Sequence, residues 1–331
     1  RRRQIRDRIQ DLSDTCGECH VIVTSRIVGY REVQLLQGPD DFEQFTLCPF
    51  DDEAIKAFSK RWYEAIGQSG AIVDPTRQNA GMLAGGILAT ASVRYLASNP
   101  LLMTLIALIY WREVRLPRRR IELYRSACQM LLSKWVQTRT PDVVISEREA
   151  LTLLMAIAFH IHSTSSSGLI SKPELERLLT AQLIDPARSG LSEMEAGNKI
   201  AEFLRIVPQH VGLLYSKGYD DHGCEVFGFL HLTFEEYLTG RELARRWRQK
   251  QLDLPQYLHL PRWQEPILLA CAHLSDEDDE DTSNRFVEEI FSASSPYEDL
   301  CHRDLVLAAR CIGDDARVLP GLRNRILQKL D

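Results

Sequence analysis

The sequence predicts a mainly α-helical protein with a small α/β part, and two observations support that prediction. Apolar residues mostly recur at helical spacing, as do Ile55, Phe58 and Trp62. Only two places depart from this period: the β-branched run at residues 21–23, and a pair of short apolar runs within residues 212–230. One early strand and one later hairpin are therefore expected among many helices.

Composition limits the class of protein. The 331 residues are 44% hydrophobic and 26% charged, as in ordinary globular chains of two or three modules. The net charge of −6 gives no overall attraction to nucleic acid or to an anionic membrane. The longest apolar stretch, residues 100–111, is about half of the ~20 residues that a membrane span needs. Eight scattered cysteines without a secretory signal predict reduced thiols and a cytoplasmic location.

The first thirty residues predict a helix, a loop and a strand that is buried on both faces of a parallel sheet. Thr24, Ser25 and Arg26 follow that strand, and ligands bind outside the carboxyl ends of strands in open α/β sheets. The permanent charge and donor fork of arginine suit phosphate. We therefore expect Arg26 to bind an anion. We also expect the chain to be a fragment, with the other strands of this sheet upstream of it.

Residues 16–20 read Cys-Gly-Glu-Cys-His, the pattern of c-type haem attachment. The motif adjoins a strand that should be buried, and no second paired motif supplies further zinc ligands. A loop that leads into the strand is the favoured interpretation, and no metal site is expected.

Residues 49–206 predict a series of helices. Asp51 is a plausible N-cap with acids in the turn that follows, and Asn99 precedes Pro100 at the first position of another helix. The helix that Pro100 begins is apolar almost all round, which predicts a place deep in a core. Residues 81–92 predict another helix or a loose turn that leads into one. Further helices are expected at residues 118–135, 149–162, 171–183 and 195–206.

The period changes after residue 211. Apolar runs at residues 212–215 and 225–230 flank a segment rich in Gly and Asp, which predicts a β-hairpin. Thr233 and Glu236 have the spacing of a capping box, so a helix should follow. Helices followed by a short hairpin are the outline of a winged helix-turn-helix.

Four short helices are expected beyond Arg248, at residues 263–273, 284–291, 300–311 and 318–330. They show no clean internal repeat. The six consecutive acids at 276–281 predict a solvated turn, because they lack the glycine and the spacing of a calcium-binding loop.

No nucleophile–base constellation and no Gly-x-x-x-x-Gly-Lys-Ser/Thr loop is present in these residues. His231 lies between the hairpin and the following helix, where free N–H groups and the positive end of the helix dipole suit phosphate. From residue types alone, a structural histidine is favoured over a phosphate ligand.

Five stretches, in this order, carry a resemblance: Val21-Ile-Val-Thr-Ser-Arg26-Ile-Val-Gly-Tyr30, Leu47-Cys-Pro-Phe50, Asn99-Pro-Leu-Leu-Met-Thr-Leu105, Leu116-Pro-Arg-Arg-Arg-Ile-Glu-Leu-Tyr124 and Phe229-Leu-His-Leu-Thr-Phe-Glu-Glu-Tyr-Leu238. Together they make the chain resemble the NACHT group of STAND-type P-loop NTPases, which includes animal NOD-like receptors and bacterial antiphage relatives. The resemblance covers roughly residues 1–248. The remaining ~80 residues look like the helical repeats that often follow in this group.

The resemblance implies four domains. Residues 1–48 would be the C-terminal part of a nucleotide-binding domain, a remnant of a P-loop NTPase sheet. Residues 49–112 would form a helical domain, 113–248 a winged-helix domain, and 249–331 a region of HEAT-like helices.

The resemblance also implies residue roles. Arg26, after Thr24 and Ser25, looks like the sensor-1 arginine that reads a γ-phosphate. Pro100 looks like the proline that packs on adenine, and His231 like the winged-helix histidine that binds the β-phosphate of ADP. The implied cofactors are ATP and ADP with Mg²⁺. The Walker A lysine and Walker B acids have no counterpart here and are expected upstream.

The implied function is a nucleotide-gated signalling switch in innate immunity or antiphage defence. ADP would keep the protein closed, and a ligand sensed by the C-terminal helices would open it for ATP exchange and homo-oligomer assembly. The whole protein would be a slow ATPase, whereas these residues alone should not hydrolyse ATP.

Two alternatives remain open: a helical interaction scaffold, and a DNA-binding winged-helix transcriptional regulator. The second would place arginines on phosphates, although the negative net charge disfavours it. These arginines are Arg118, Arg119, Arg120, Arg241, Arg245, Arg246 and Arg248.

Overall fold

The computed structural model describes residues 2–16, 19–24, 45–68, 79–113, 115–117, 119–137, 145–185, 190–206, 212–220, 222–277, 280–314 and 316–330. Helices dominate these residues, and the strands among them form one three-stranded antiparallel sheet. The predicted class, mainly α with a small α/β part, is confirmed. The chain divides into two compact units, Arg1–Pro49 and Phe50–Asp331.

The first unit contains the expected N-terminal helix, α1 (Arg2–Thr15). The buried strand expected at residues 21–23 is wrong: residues 21–24 form no strand, and the Ile22 side chain is 89% exposed. A strand persists through hydrogen bonds to a neighbouring strand, and none of the described residues of this unit provides one. Thr24 is exposed, while Ser25 and Arg26 lie outside the described residues.

The second unit begins with helices in the order expected from their apolar period. They are α2 (Asp52–Gln68), α3 (Ala80–Leu88), α4 (Ala91–Ala97), α5 (Pro100–Glu113), α6 (Arg120–Gln137) and α7 (Glu147–Thr164). The next elements are β1 (Ile170–Ser171), α8 (Lys172–Ile184), α9 (Glu193–Ile206), β2 (Leu214–Tyr219), β3 (Glu225–Phe229) and α10 (Leu232–Arg248). Two 3-10 turns (Leu254–Gln256 and Pro261–Trp263) precede α11 (Gln264–Glu277), α12 (Glu280–Phe291), α13 (Glu298–Cys301), α14 (Arg303–Gly313) and α15 (Pro320–Leu330).

Side chains fix where two of these helices begin. Asp51 Oδ1 accepts the backbone N–H of Ala54 at 2.8 Å, and Asn99 Oδ1 accepts that of Leu101 at 2.9 Å. Pro100 is therefore the first residue of α5, where its missing N–H leaves no bond unmade. Both predicted helix starts are confirmed.

The capping box at the start of α7 can be tested by substitution. Ser146 Oγ accepts the backbone N–H of Glu149 at 3.2 Å, and Glu149 Oε2 accepts that of Ser146 at 2.9 Å. Replacing Ser146 with alanine should lower the free energy of unfolding by about 1 kcal/mol, measured by urea denaturation. Ser146→Thr keeps the hydroxyl and should lose much less. An equal loss in both variants would contradict the capping role.

The sheet has the strand order β1-β3-β2, with both pairings antiparallel. Ile170 pairs with Phe227, and Leu214 pairs with Phe229. The β2–β3 hairpin confirms the prediction. Strand β1 was not predicted, because two residues are too few to show the alternation of a strand. The order α7-β1-α8-α9-β2-β3 completes the outline of a winged helix-turn-helix.

Helix α10 lies between two hydrophobic cores. Its Phe234, Tyr237 and Leu238 belong to the core formed with the preceding helices, while Leu243 and Ala244 belong to the core of the C-terminal helices. Helix α10 therefore contributes side chains to both cores. Among the described helices, none is both long and apolar enough to cross a bilayer.

Candidate functional site

His231 is the N-cap residue of α10. Its backbone is extended, and its Nδ1 accepts the backbone N–H of Thr233 at 3.3 Å. The capping box predicted between Thr233 and Glu236 is therefore wrong, because the helix has already begun at Leu232. The imidazole accepts the backbone N–H that the side chain of a serine or threonine N-cap would otherwise accept.

The capping bond fixes the tautomer of His231. A ring nitrogen that accepts an N–H carries no proton, so the proton of the neutral ring is on Nε2, which can only donate. This donor stands at a helix N-terminus, the positive end of the helix dipole. An N–H donor in that position suits the oxygen of a phosphate group, so the residue present at 231 fits a nucleotide phosphate.

Pro100 is exposed at the start of α5. Beside this helix start, a cleft of about 790 Å³ opens between the beginning of α2 and the turn that joins α3 to α4. Its lining combines aromatic side chains, Phe50 and Tyr95, with the ion pair of Asp52 and Arg94 (2.7 Å). Tyr95 is 78% exposed and was not singled out from the sequence, since an isolated exposed tyrosine leaves no periodic signal.

The predicted nucleotide residues thus fall in different parts of the chain. Pro100 and His231 belong to the second unit, and Thr24 to the first. Ser25 and Arg26 lie outside the described residues. Their joint contact with one nucleotide stays a prediction.

Two carboxylates follow His231 near the beginning of α10: Glu235, in the first turn, is buried, and Glu236, the next residue, is half-buried. Glu235 Oε1 lies 3.0 Å from His162 Nδ1, and both side chains are buried. Burial, then the neighbouring Glu265 and Glu235, raise the pKa of Glu236 to about 8. Glu236 is therefore largely protonated near neutral pH. The sequence could not reveal this, because a glutamate near the beginning of a helix is ordinarily exposed.

Five of the seven arginines considered for DNA contact form ion pairs within the chain. Arg120 binds Glu265 at 2.7 Å and Asp314 at 2.6 Å. Burial lowers the pKa of Arg120, but the charges of Asp314 and Glu265 outweigh it and hold that pKa above its usual value. The other described pairs are Arg119 with Asp276, Arg241 with Glu277, and Arg245 and Arg246 with Glu242. Arg118 lies outside the described residues.

The acidic run at 276–281 also differs from the expected solvated turn. Asp276 and Glu277 lie in the last turn of α11. The Asp276 side chain is only 12% exposed, because Arg119, just before α6, and Arg125, within α6, cover it. These carboxylates neutralise arginine charge that a DNA-binding surface would need. Residues 278–279 are not among those described.

Residues 120–243 match the family model described as "Winged helix-turn-helix domain C-terminal to NACHT". No curated protein matches the chain. The matched residues run from the start of α6 into α10, and they include the three strands and His231. Fold and family model agree on the same segment, and the resemblance to NACHT proteins is confirmed. Residues 120–243 therefore form a winged helix-turn-helix domain of the kind that lies C-terminal to NACHT.

Proposed function

We propose that the chain is part of a nucleotide-gated signalling switch of the NACHT/STAND class. One observation carries the proposal: within a winged helix of the NACHT-associated family, His231 caps α10 and so has its proton on Nε2. Arg26, Pro100 and His231 would each contact the nucleotide, with Thr24 and Ser25 beside Arg26. The cofactors would be ADP and ATP with Mg²⁺, whose other ligands belong to a nucleotide domain.

In the closed state, His231 Nε2–H donates to an oxygen of the ADP β-phosphate, and the N-terminus of α10 adds its dipole. Pro100 offers an apolar surface to the adenine, and Arg26 reads the γ-phosphate when ATP replaces ADP. A ligand shifts such an equilibrium only by binding its two states unequally. The His231 bond supplies that inequality, because opening withdraws α10 from the phosphate.

The remaining parts of the proposal concern the whole protein. A ligand bound by the C-terminal helices opens the closed form, and opened protomers assemble into a homo-oligomer in the cytoplasm. ATP hydrolysis is slow and resets the switch. The pathway served is innate immune or antiphage defence.

Replacing His231 with alanine in the natural protein should weaken ADP binding about 10- to 100-fold, the size of a lost hydrogen bond to a charged group. Basal oligomerisation should rise because ADP no longer holds the closed state. Isothermal titration calorimetry and light scattering measure the two effects.

His231→Asp is the matched variant for this test. Aspartate is a good N-cap residue, so α10 keeps its start, but its carboxylate repels phosphate. It should therefore lose ADP at least as completely as His231→Ala while unfolding like wild type. Unchanged ADP affinity in both variants would reject the role of His231.

A further inference from the structure

His162, near the end of α7, is 1% exposed on its side chain, and both of its ring nitrogens have partners. Nδ1 lies 3.0 Å from Glu235 Oε1, and Nε2 lies 2.8 Å from the backbone carbonyl oxygen of Arg262. The Trp263 ring meets the imidazole edge-on, with ring centroids 4.9 Å apart. One buried ring therefore joins α7, the first turn of α10 and the 3-10 turn that leads into α11.

The partners of His162 fix how many protons the arrangement holds. A backbone carbonyl only accepts, so Nε2 must carry a proton. An ionised carboxylate also only accepts, so the contact with Glu235 needs a second proton, on either Nδ1 or the carboxyl group. Without it, two lone pairs would face each other across 3.0 Å in a buried place. The contact therefore exists only while one proton is shared by His162 and Glu235.

Other charged groups surround this pair. The Arg262 guanidinium lies 3.9 Å from Glu235 Oε1 and donates to the carbonyl oxygen of Ser165 at 2.9 Å. On α7, His160 is paired with Glu174 of α8 at 2.8 Å. The remaining titratable and charged groups near the first turn of α10 are His231, Glu236, Glu265 of α11 and Arg120 of α6.

We propose that His162 is a positioning residue for His231, acting through the proton that it shares with Glu235. The backbone N–H of Glu235 donates to the His231 carbonyl oxygen at 3.4 Å, so Glu235 lies one turn into α10 from His231. The shared proton ties this turn to α7 and to the beginning of the C-terminal helices. Loss of the shared proton releases the turn. The effect on nucleotide binding rests on the proposed function, whereas the contact between His162 and Glu235 does not.

The test compares amide hydrogen exchange at residues 232–236 of this chain from about pH 6 to about pH 9, after correction for intrinsic exchange. In wild type, protection should fall about tenfold as pH rises, the size of one lost buried hydrogen bond. In Glu235→Gln, the amide N–H donates permanently to Nδ1 of the neutral imidazole. Protection should then remain high throughout. A simple ion pair predicts the opposite, a loss of protection in this variant.

Two further variants complete the test. Glu236→Gln removes the adjacent half-buried carboxyl and should keep the wild-type fall in protection. His162→Phe keeps a ring against Trp263 and should lower protection at every pH. If Glu235→Gln shows the same pH dependence as wild type, or no protection at all, the proposal is overturned, whether or not His162→Phe folds.

The link to His231 is tested by ADP affinity in the natural protein over the same pH range. Wild type should lose affinity about tenfold as pH rises, and Glu235→Gln should not. Affinity that is independent of pH in wild type would overturn the positioning role. A wild type that does not bind ADP would reject the proposed function and the positioning role together, while the shared proton would still be decided by hydrogen exchange.

Discussion

Replacing Glu236 with glutamine should stabilise the protein at neutral pH and flatten the pH dependence of its stability. The pKa of Glu236 is raised from 4.5 to about 8, first by burial and then by Glu265 and Glu235. The folded protein therefore holds a proton that the unfolded chain releases, and stability falls as pH rises between these two pKa values. At pH 7 the gain from Glu236→Gln should reach about 3 kcal/mol.

Urea denaturation at about pH 5, pH 7 and pH 9 measures this effect. The gain should be much smaller at the lowest pH, which lies close to the unfolded pKa of 4.5, so that the unfolded chain still holds part of the proton. Glu193→Gln is the control, because Glu193 lies near the beginning of a helix, as Glu236 does, but is exposed. Its stability curve should follow that of wild type. A Glu236→Gln protein with the wild-type pH slope would show that this carboxyl is not the source of the dependence.

Replacing Gly240 with alanine should destabilise the protein by about 3 kcal/mol or more, through overpacking. Gly240 lies where α10 crosses α11, and a Cβ there would come within 2.7 Å of the Pro266 carbonyl oxygen and 3.1 Å of the Ala270 nitrogen. Both are backbone atoms, which cannot rotate away. The two helices would have to separate along a contact that both hydrophobic cores share.

Gly197→Ala is the matched control, because Gly197 also lies inside a helix, α9, but a Cβ there would meet nothing within 4 Å. Alanine is the better helix former, so this variant should gain about 0.5–1 kcal/mol. Thermal unfolding of the two variants should therefore shift in opposite directions. If Gly240→Ala gains stability as Gly197→Ala does, the close crossing of α10 and α11 is incorrect.

Part of the site was predictable from the sequence. The helix that Pro100 begins is signalled by Asn99 and by the proline itself, and these signals act within a few residues. The placement of His231 between a hairpin and a helix follows from the same kind of local pattern. The capping box at Thr233 and Glu236 was a false local signal, since His231 caps the helix two residues earlier. The apolar run at residues 21–23 likewise has a strand's composition without a strand in the structure.

The sequence by itself determined where helices and the hairpin lie, because periodicity, caps and turns depend on neighbouring residues. Only the tertiary structure decided the state of the polar groups around α10. The partners of His162 are 73 and 100 residues away, and Arg120 meets Asp314 across 194 residues. Burial and such distant partners turn Glu235, Glu236, Arg119 and Arg120 from ordinary surface residues into partly or fully buried groups. The pKa values and ion pairs of these groups depend on contacts between distant segments, and such contacts cannot be read from the local order of residues.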